Sequence, residues 1–182
     1  GIGGVHRGNP FDMSADLDAL ADNPVIVVCA GAKAILDLPA TLEVLETRGV
    51  PVLGFGTNEF PAFYSRSSGL PVDCRVDDPG EVAAIAKTHW KAGHRSAVLV
   101  GNPVPESDAL DPEMIGKAIN EAIVEAELKG ISGAALTPFL LEQVNLVSEG
   151  KSMRSNLALL RNNANLAARI AAHFSGSKLV TF

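Results

Sequence analysis

The stretch Val25-Ile26-Val27-Val28-Cys29-Ala30-Gly31-Ala32-Lys33 decides how the rest of the chain is read. Its run of β-branched residues suits a pleated strand covered on both faces, as in a parallel sheet. Gly31 between two alanines leaves room for another segment or a ligand to approach the backbone closely. Lys33 then falls just beyond the strand's carboxyl end, where open α/β sheets bind ligands. There it admits two readings. As a partly shielded amine it would lose affinity for its proton, and a neutral lysine is a nucleophile. As the start of a helix it would point into solvent, the usual place for a lysine.

Outward from this strand the pattern alternates. Ile35, Leu38, Leu42 and Leu45 recur at helical spacing, which predicts a helix over Ala34 to Arg48. Pro39 begins its main part and Gly49 stops it. Val50 to Phe55 is a second short strand, so strand, helix and strand predict a βαβ unit with parallel pairing and a right-handed crossover. Val72 to Val76 alternates weakly, as an edge strand does. Asp78-Pro79 opens a helix to about Lys91, closed by Gly93, and Ala97 to Gly101 is the next strand. Asp111-Pro112 opens a helix ended by Gly130, Thr137-Pro138 one ended near Gly150, and Ser152 to His173 forms a last long helix. Upstream, the glycines and Pro10 predict a loop over residues 1–11, with Ser14 as N-cap of a short helix. The expected fold is α/β: a layered α/β/α arrangement with a mixed, largely parallel sheet.

Composition narrows the function classes. The 182 residues suffice for one domain with its own core. Lys plus Arg is 15 and Asp plus Glu is 21, a formal charge of -6, which argues against nucleic acid as a partner. One Trp and one Tyr make poor base-stacking platforms. Cys29 and Cys74 form no CxxC, so neither a zinc site nor a redox pair is indicated, and Cys29 is expected to act as a small buried hydrophobe. No apolar run is long enough to span a bilayer and no signal peptide is visible, so a reducing cytoplasm is the expected setting. The chain opens at Gly1 inside a Gly-rich stretch and closes on Gly176 to Phe182, which reads as a linker. The expected organisation is a domain over residues 1–174 and a linker or tail over 175–182, within a longer polypeptide.

Three polar segments carry candidate chemistry. Gly1-Ile2-Gly3-Gly4-Val5-His6-Arg7-Gly8 could form an anion nest of backbone N–H groups, with His6 and Arg7 as donors to phosphate, or a generic turn. Its spacing matches neither a Walker A loop nor a dinucleotide fingerprint. In Phe11-Asp12-Met13-Ser14-Ala15-Asp16, two carboxylates and a hydroxyl could hold a hard divalent ion through oxygens; equally, they could serve a helix start. In Ser152-Met153-Arg154-Ser155-Asn156, the amide could read a pyrimidine edge or lie at the surface.

These segments together resemble one family, the pseudouridine-5′-phosphate glycosidases of the indigoidine synthase A-like group. The matching stretches are GIGGVHRG, FDMSADL, VVCAGAKAILDLPATLEVLETRGVPVLGFGTNEFPAFYSRSSG, NPVPE, TPFLLEQV and SMRSNLALLRNNANLAA, in the family's order over almost the whole chain. The resemblance implies reversible cleavage of the C–C bond between uracil C5 and ribose C1′ of pseudouridine 5′-phosphate, giving uracil and ribose 5-phosphate. It assigns Lys33 of the GAK motif as the covalent nucleophile toward C1′. It assigns Asp12 as ligand of a divalent metal, usually Mn2+, with waters completing the shell. Ser14, Ala15 and Asp16 match substrate-binding positions, Asn156 an active-site asparagine, and His6 a histidine near the ribose phosphate. It further implies a homotrimer of α/β/α subunits, with no nucleic acid or membrane partner.

The resemblance also implies a missing amino-terminal segment, roughly a hundred residues or more upstream of GIGGVHRG. That part carries the family's general-acid glutamate and a substrate-contacting lysine, so this chain is expected to be the carboxyl-terminal portion. Two other readings stand beside it. One is an inactive truncated fragment that binds phosphosugar or supports assembly. The other is a related C-glycosidase acting on another base.

Overall fold

A computed structural model describes residues 1–131 and 135–175, with the side chains of residues 9 and 10 excepted. The elements run β1 (Val5–His6), β2 (Asn9–Met13), α1 (Asp16–Asp22), β3 (Ile26–Cys29), β4 (Leu36–Asp37), α2 (Leu38–Thr47), β5 (Val52–Phe55), β6 (Cys74–Val76), α3 (Pro79–Lys91), β7 (Val98–Gly101), α4 (Pro112–Leu128), α5 (Leu136–Val147) and α6 (Lys151–Ser175). Of the linker or tail expected over 175–182, Ser175 is instead the last residue of α6, and 176–182 lie outside the described residues.

Strands β3, β7, β5 and β6 form a sheet in that order, parallel at every pairing. The period-two alternation of β7 divides the core. Val98 and Val100 pack with Leu53, Val76, Val82 and Ala86, and with Leu166 and Ile170 of α6. Leu99 points the other way, into a cluster with Leu17 and Leu20 of α1 and Leu45 of α2. Helices α3 and α6 therefore cover one face and α1 and α2 the other, the layered α/β/α arrangement expected. Val98, Leu99 and Val100 have no exposed surface, so each contributes about 1.5–3 kcal/mol through burial.

The helix signals hold for chemical reasons. The Asp37 carboxylate accepts the Ala40 amide at 3.0 Å and Pro39 occupies the first turn of α2. Asp78 and Glu81 form a capping box on α3. Asp111 caps α4 through the Glu113 amide at 2.9 Å.

Several expectations are corrected. Residues 1–11 are not a loop throughout: β1 pairs with β2 and with β4, both antiparallel, in a separate three-stranded sheet. The mixture of parallel and antiparallel pairing is thus divided between two sheets. The helix expected from Ala34 begins at Leu38, because the preceding residues turn and then pair with β1. Strands β3 and β5 are parallel but not neighbours; β7 inserts between them. The N-cap of α1 is Ala15 rather than Ser14, although the Ser14 hydroxyl accepts the Asp16 amide at 3.2 Å.

Candidate functional site

The Gly1–Gly4 segment joins the polar groups that lie apart in sequence. The Ile2 amide donates to the Gly31 carbonyl and the Lys33 amide to the Ile2 carbonyl, each at 3.1 Å, a parallel bridge between Ile2 and Ala32. The next residue, Gly3, donates its amide to Asp16 Oδ2 at 2.7 Å. Gly4 accepts the Ser14 amide at 3.0 Å. Lys33, Ser14 and Asp16 are thereby fastened to one tripeptide. The glycines are required by contact: a Cβ on Gly3 would lie 2.1 Å from Ser14 Oγ, and one on Gly4 2.4 Å from Thr41 Oγ1.

Gly31 makes the turn that releases Lys33 from the strand. Its φ of +88° is in the left-handed region, and a Cβ there would lie 1.7 Å from the Pro61 carbonyl oxygen. Phe63, itself at φ 62°, donates its amide to the Ala30 carbonyl at 2.8 Å. Its ring meets Tyr64 edge-on at 4.6 Å between centroids. Lys33 is half-buried, and its ammonium makes no hydrogen bond or ion pair among the described residues. Cys29, four residues before it, is fully buried; desolvation pushes its thiol up to about 11, opposed in part by the Gly31 amide. It behaves as the inert hydrophobe expected.

The remaining candidates spread over the carboxyl ends of the strands. The buried stripe of α6 carries Ser152, Ser155 and Asn163, interrupted by Leu159, and is apolar beyond, with Leu166 and Ile170. Asn163 Oδ1 accepts from Asn102 Nδ2 at 3.0 Å, and Asn162 Nδ2 donates to the Pro103 carbonyl at 3.0 Å. Asn102 in turn donates its amide to the Cys29 carbonyl at 2.7 Å. Asn156, two helical turns before Asn163, is half-buried along the same face. No hydrogen bond among the described residues links it to Lys33 or Asp16.

His6 sits half-buried in β1, with Leu36 and Asn9 as its strand neighbours. Arg7 is not a free phosphate donor: its guanidinium donates to the Leu36 carbonyl at 3.2 Å and the Ala34 carbonyl at 3.1 Å. It lines an open cavity of about 740 Å³ with Asp37, Ser65, Ile115 and Ile119. That cavity includes Ala34 but none of Lys33, Asp12, Ser14, Asp16 or Asn156.

For a metal, the described residues hold no cluster of three His, Cys, Asp or Glu side chains. Asp12 is exposed on β2, while one oxygen of Asp16 is engaged by Gly3. A single hard carboxylate fits only a divalent ion that keeps most of its waters. Sequence reasoning did not single out Thr41, Asn102 or Phe63. Thr41 Oγ1, without exposed surface, accepts the Val5 amide at 3.0 Å and donates to the Asp37 carbonyl at 2.6 Å. Only the NPVPE match pointed toward Asn102.

Residues 1–173 match the family model described as indigoidine synthase A like protein. A pseudouridine-5′-phosphate glycosidase of Caldanaerobacter subterraneus is 59% identical over 177 residues, covering 96% of this chain and 58% of the relative. One from Clostridium botulinum is 54% identical, with the same two coverages. The chain spans less than two thirds of the length of these relatives. Among solved structures, the prealnumycin C-glycosynthase AlnA in complex with ribulose 5-phosphate superposes with a TM-score of 0.91 at 38% identity, covering 97% of this chain and 59% of that one. An indigoidine synthase A-like protein of Thermotoga maritima gives 0.86 at 38% identity, covering 94% of this chain and 56% of the other.

Proposed function

This chain belongs to the indigoidine synthase A-like family, and from that premise we propose that it forms the lysine-bearing part of a pseudouridine-5′-phosphate glycosidase. The observation that carries the reading is the seat of Lys33. It lies past the carboxyl end of β3, half-buried, on a glycine tripeptide that also holds Ser14 and Asp16. A C–C glycoside offers no leaving heteroatom, so cleavage needs an electron sink at C1′. Lys33 Nζ would bond to C1′ as C1′–O4′ breaks, the electron pair and a proton going to O4′. The C1′–C5 pair would then pass to uracil C5, which takes a proton, while the nitrogen lone pair closes a C=N bond. Water would hydrolyse that iminium, releasing ribose 5-phosphate and restoring the amine.

Ser14, Ala15 and Asp16 would bind the sugar from the turn before α1, with His6 and Asn156 toward the phosphate and the base. Asp12 would hold Mn2+ through one carboxylate; the bound ion would supply positive charge to the substrate's oxygens. The general acid would come from the segment that the longer relatives carry. The reading includes a homotrimeric, cytoplasmic enzyme; no described helix is long and apolar enough to cross a membrane. A second reading is C-glycoside chemistry on another base, favoured by the superposition on a C-glycosynthase holding ribulose 5-phosphate.

The test is incubation of the full-length, metal-loaded protein with ribose 5-phosphate and borohydride, followed by peptide mass spectrometry. A reduced pentose phosphate adduct on Lys33 is expected. A folded protein that carries the adduct elsewhere, or none, overturns the nucleophile assignment. Turnover of pseudouridine 5′-phosphate against C-glycosides of other bases separates the two readings.

A further inference from the structure

The three carbonyls that lead the chain out of β3 are each held by a different segment. Cys29 accepts the Asn102 amide at 2.7 Å, Ala30 the Phe63 amide at 2.8 Å and Gly31 the Ile2 amide at 3.1 Å. Lys33 leaves the strand on that fixed path. The first of these anchors, Asn102, directly follows β7 and is buried. Its side chain reaches the other way: Nδ2 donates to Asn163 Oδ1 on α6 at 3.0 Å. The neighbouring Asn162 Nδ2 donates to the Pro103 carbonyl at 3.0 Å, and Arg66 Nη1 to the Val104 carbonyl at 2.6 Å. One short loop, stiffened by Pro103 and Pro105, therefore joins the approach to Lys33 and the helix that carries Asn156.

That helix needs a directional anchor. Leu166 and Ile170 pack on the α3 side of the sheet, and Leu159 in the opposite cluster. Asn163 lies between them, where α6 passes the end of β7, and Asn156 is two turns further out. Apolar packing holds a helix against a core but is non-directional. A hydrogen bond is directional, and both amides of this pair are buried, where losing a partner is costly. Asn162 and Asn163 stand about 100° apart around the helix axis. Both grip Asn102-Pro103, which fixes rotation as well as register. The Arg154–Asp108 pair lies nearer Asn156, but the Arg154 side chain is 76% exposed, and such pairs contribute little.

We propose that Asn102 and Asn163 are positioning residues for base recognition. Their hydrogen bond sets the rotation and register of α6, and so holds Asn156 at the base of a substrate whose C1′ lies at Lys33. The proposal rests on the reading of Lys33 and Asn156 given above. The Asn102–Cys29 bond is made by the backbone, so a change at Asn163 loosens α6 and leaves the Lys33 turn in place. Base selection is thereby governed by a buried pair that does not itself touch the substrate.

The test uses the full-length, metal-loaded protein in the synthetic direction, from ribose 5-phosphate and uracil, with the Lys33 adduct trapped by borohydride in parallel. Asn156→Ala sets the scale by raising the KM for uracil. Asn163→Leu is expected to raise that KM about tenfold, with the KM for ribose 5-phosphate and the rate of adduct formation unchanged. Asn162→Ala, a milder change at a half-buried residue, moves the uracil KM in the same direction and serves where Asn163→Leu does not fold. The double variant Asn156→Ala/Asn163→Leu shows no further rise, since both changes act through one amide. Loss of folded protein lowers all rates together and leaves both KM values in place, so a merely structural role does not produce this split. Three results with folded variants overturn the proposal alone: an unchanged uracil KM, equal shifts in both KM values, or an effect that adds to that of Asn156→Ala. If Asn156→Ala itself leaves the uracil KM unchanged, the base-reading role of Asn156 fails, and the proposal with it.

Discussion

Asp16 Oδ2 receives the Gly3 amide at 2.7 Å, so a residue matched to substrate binding also holds the tripeptide that anchors Lys33. Asp16→Asn keeps an acceptor oxygen and Asp16→Ala removes it. The alanine variant is expected to lose about 1–3 kcal/mol, from a charge-assisted hydrogen bond. The asparagine variant should retain most of that stability. Urea titration of both variants checks this; equal losses would show that the Gly3 contact contributes nothing.

Gly31 and Gly130 both have positive φ, at 88° and 66°, but only Gly31 is crowded. Gly130→Ala meets nothing within 4 Å and is expected to cost about 1 kcal/mol from backbone strain alone. Gly31→Ala drives a methyl into the Pro61 carbonyl and should cost more than ~3 kcal/mol or abolish folding. Thermal melts of the two variants decide it, and comparable melting points would sink the argument.

Lys33→Arg keeps the positive charge but cannot form the imine. If Lys33 is the nucleophile, turnover by the full-length protein falls about a thousandfold or more while the fold persists. Steady-state kinetics beside a circular dichroism spectrum measure both.

Asn102 and Asn163 are 6% and 8% exposed and joined by one hydrogen bond of 3.0 Å. Removing one partner strands the other, so Asn163→Ala is expected to cost about 1–3 kcal/mol. The double alanine variant should cost less than the sum of the singles, because no orphan remains. A double-mutant cycle by denaturant titration reads the coupling, and strict additivity would refute it.

Cys29 gives a pH dependence with a defined sign. Its folded pKa of about 11 stands above the ordinary 9.0 because burial favours the neutral thiol. The contribution is fully present below pH 9 and is lost as pH rises toward 11, about 3 kcal/mol in all. Cys29→Ala should flatten that part of the stability profile between pH 9 and 11. In the native protein a thiol reagent at neutral pH should label exposed Cys74 and spare Cys29.

The sequence by itself determined the local elements. Asp78 and Asp111 marked two helix starts, since a carboxylate before a proline caps orphan amides whatever the tertiary context. The unbroken Val25–Cys29 run marked a parallel strand, and the ordered motifs marked the family. Only the tertiary structure decided strand order, because nothing in β3 or β5 states that β7 comes between them. It alone showed Val5 and His6 pairing with Asp37 and Leu36, where glycine content had suggested a loop, because ladder partners distant in sequence outweigh local propensity. It also decided that Arg7 is tied to backbone carbonyls and that Gly3 joins Asp16 to the Lys33 turn. Those contacts form between residues far apart in the chain, and periodicity and spacing carry no record of such distances.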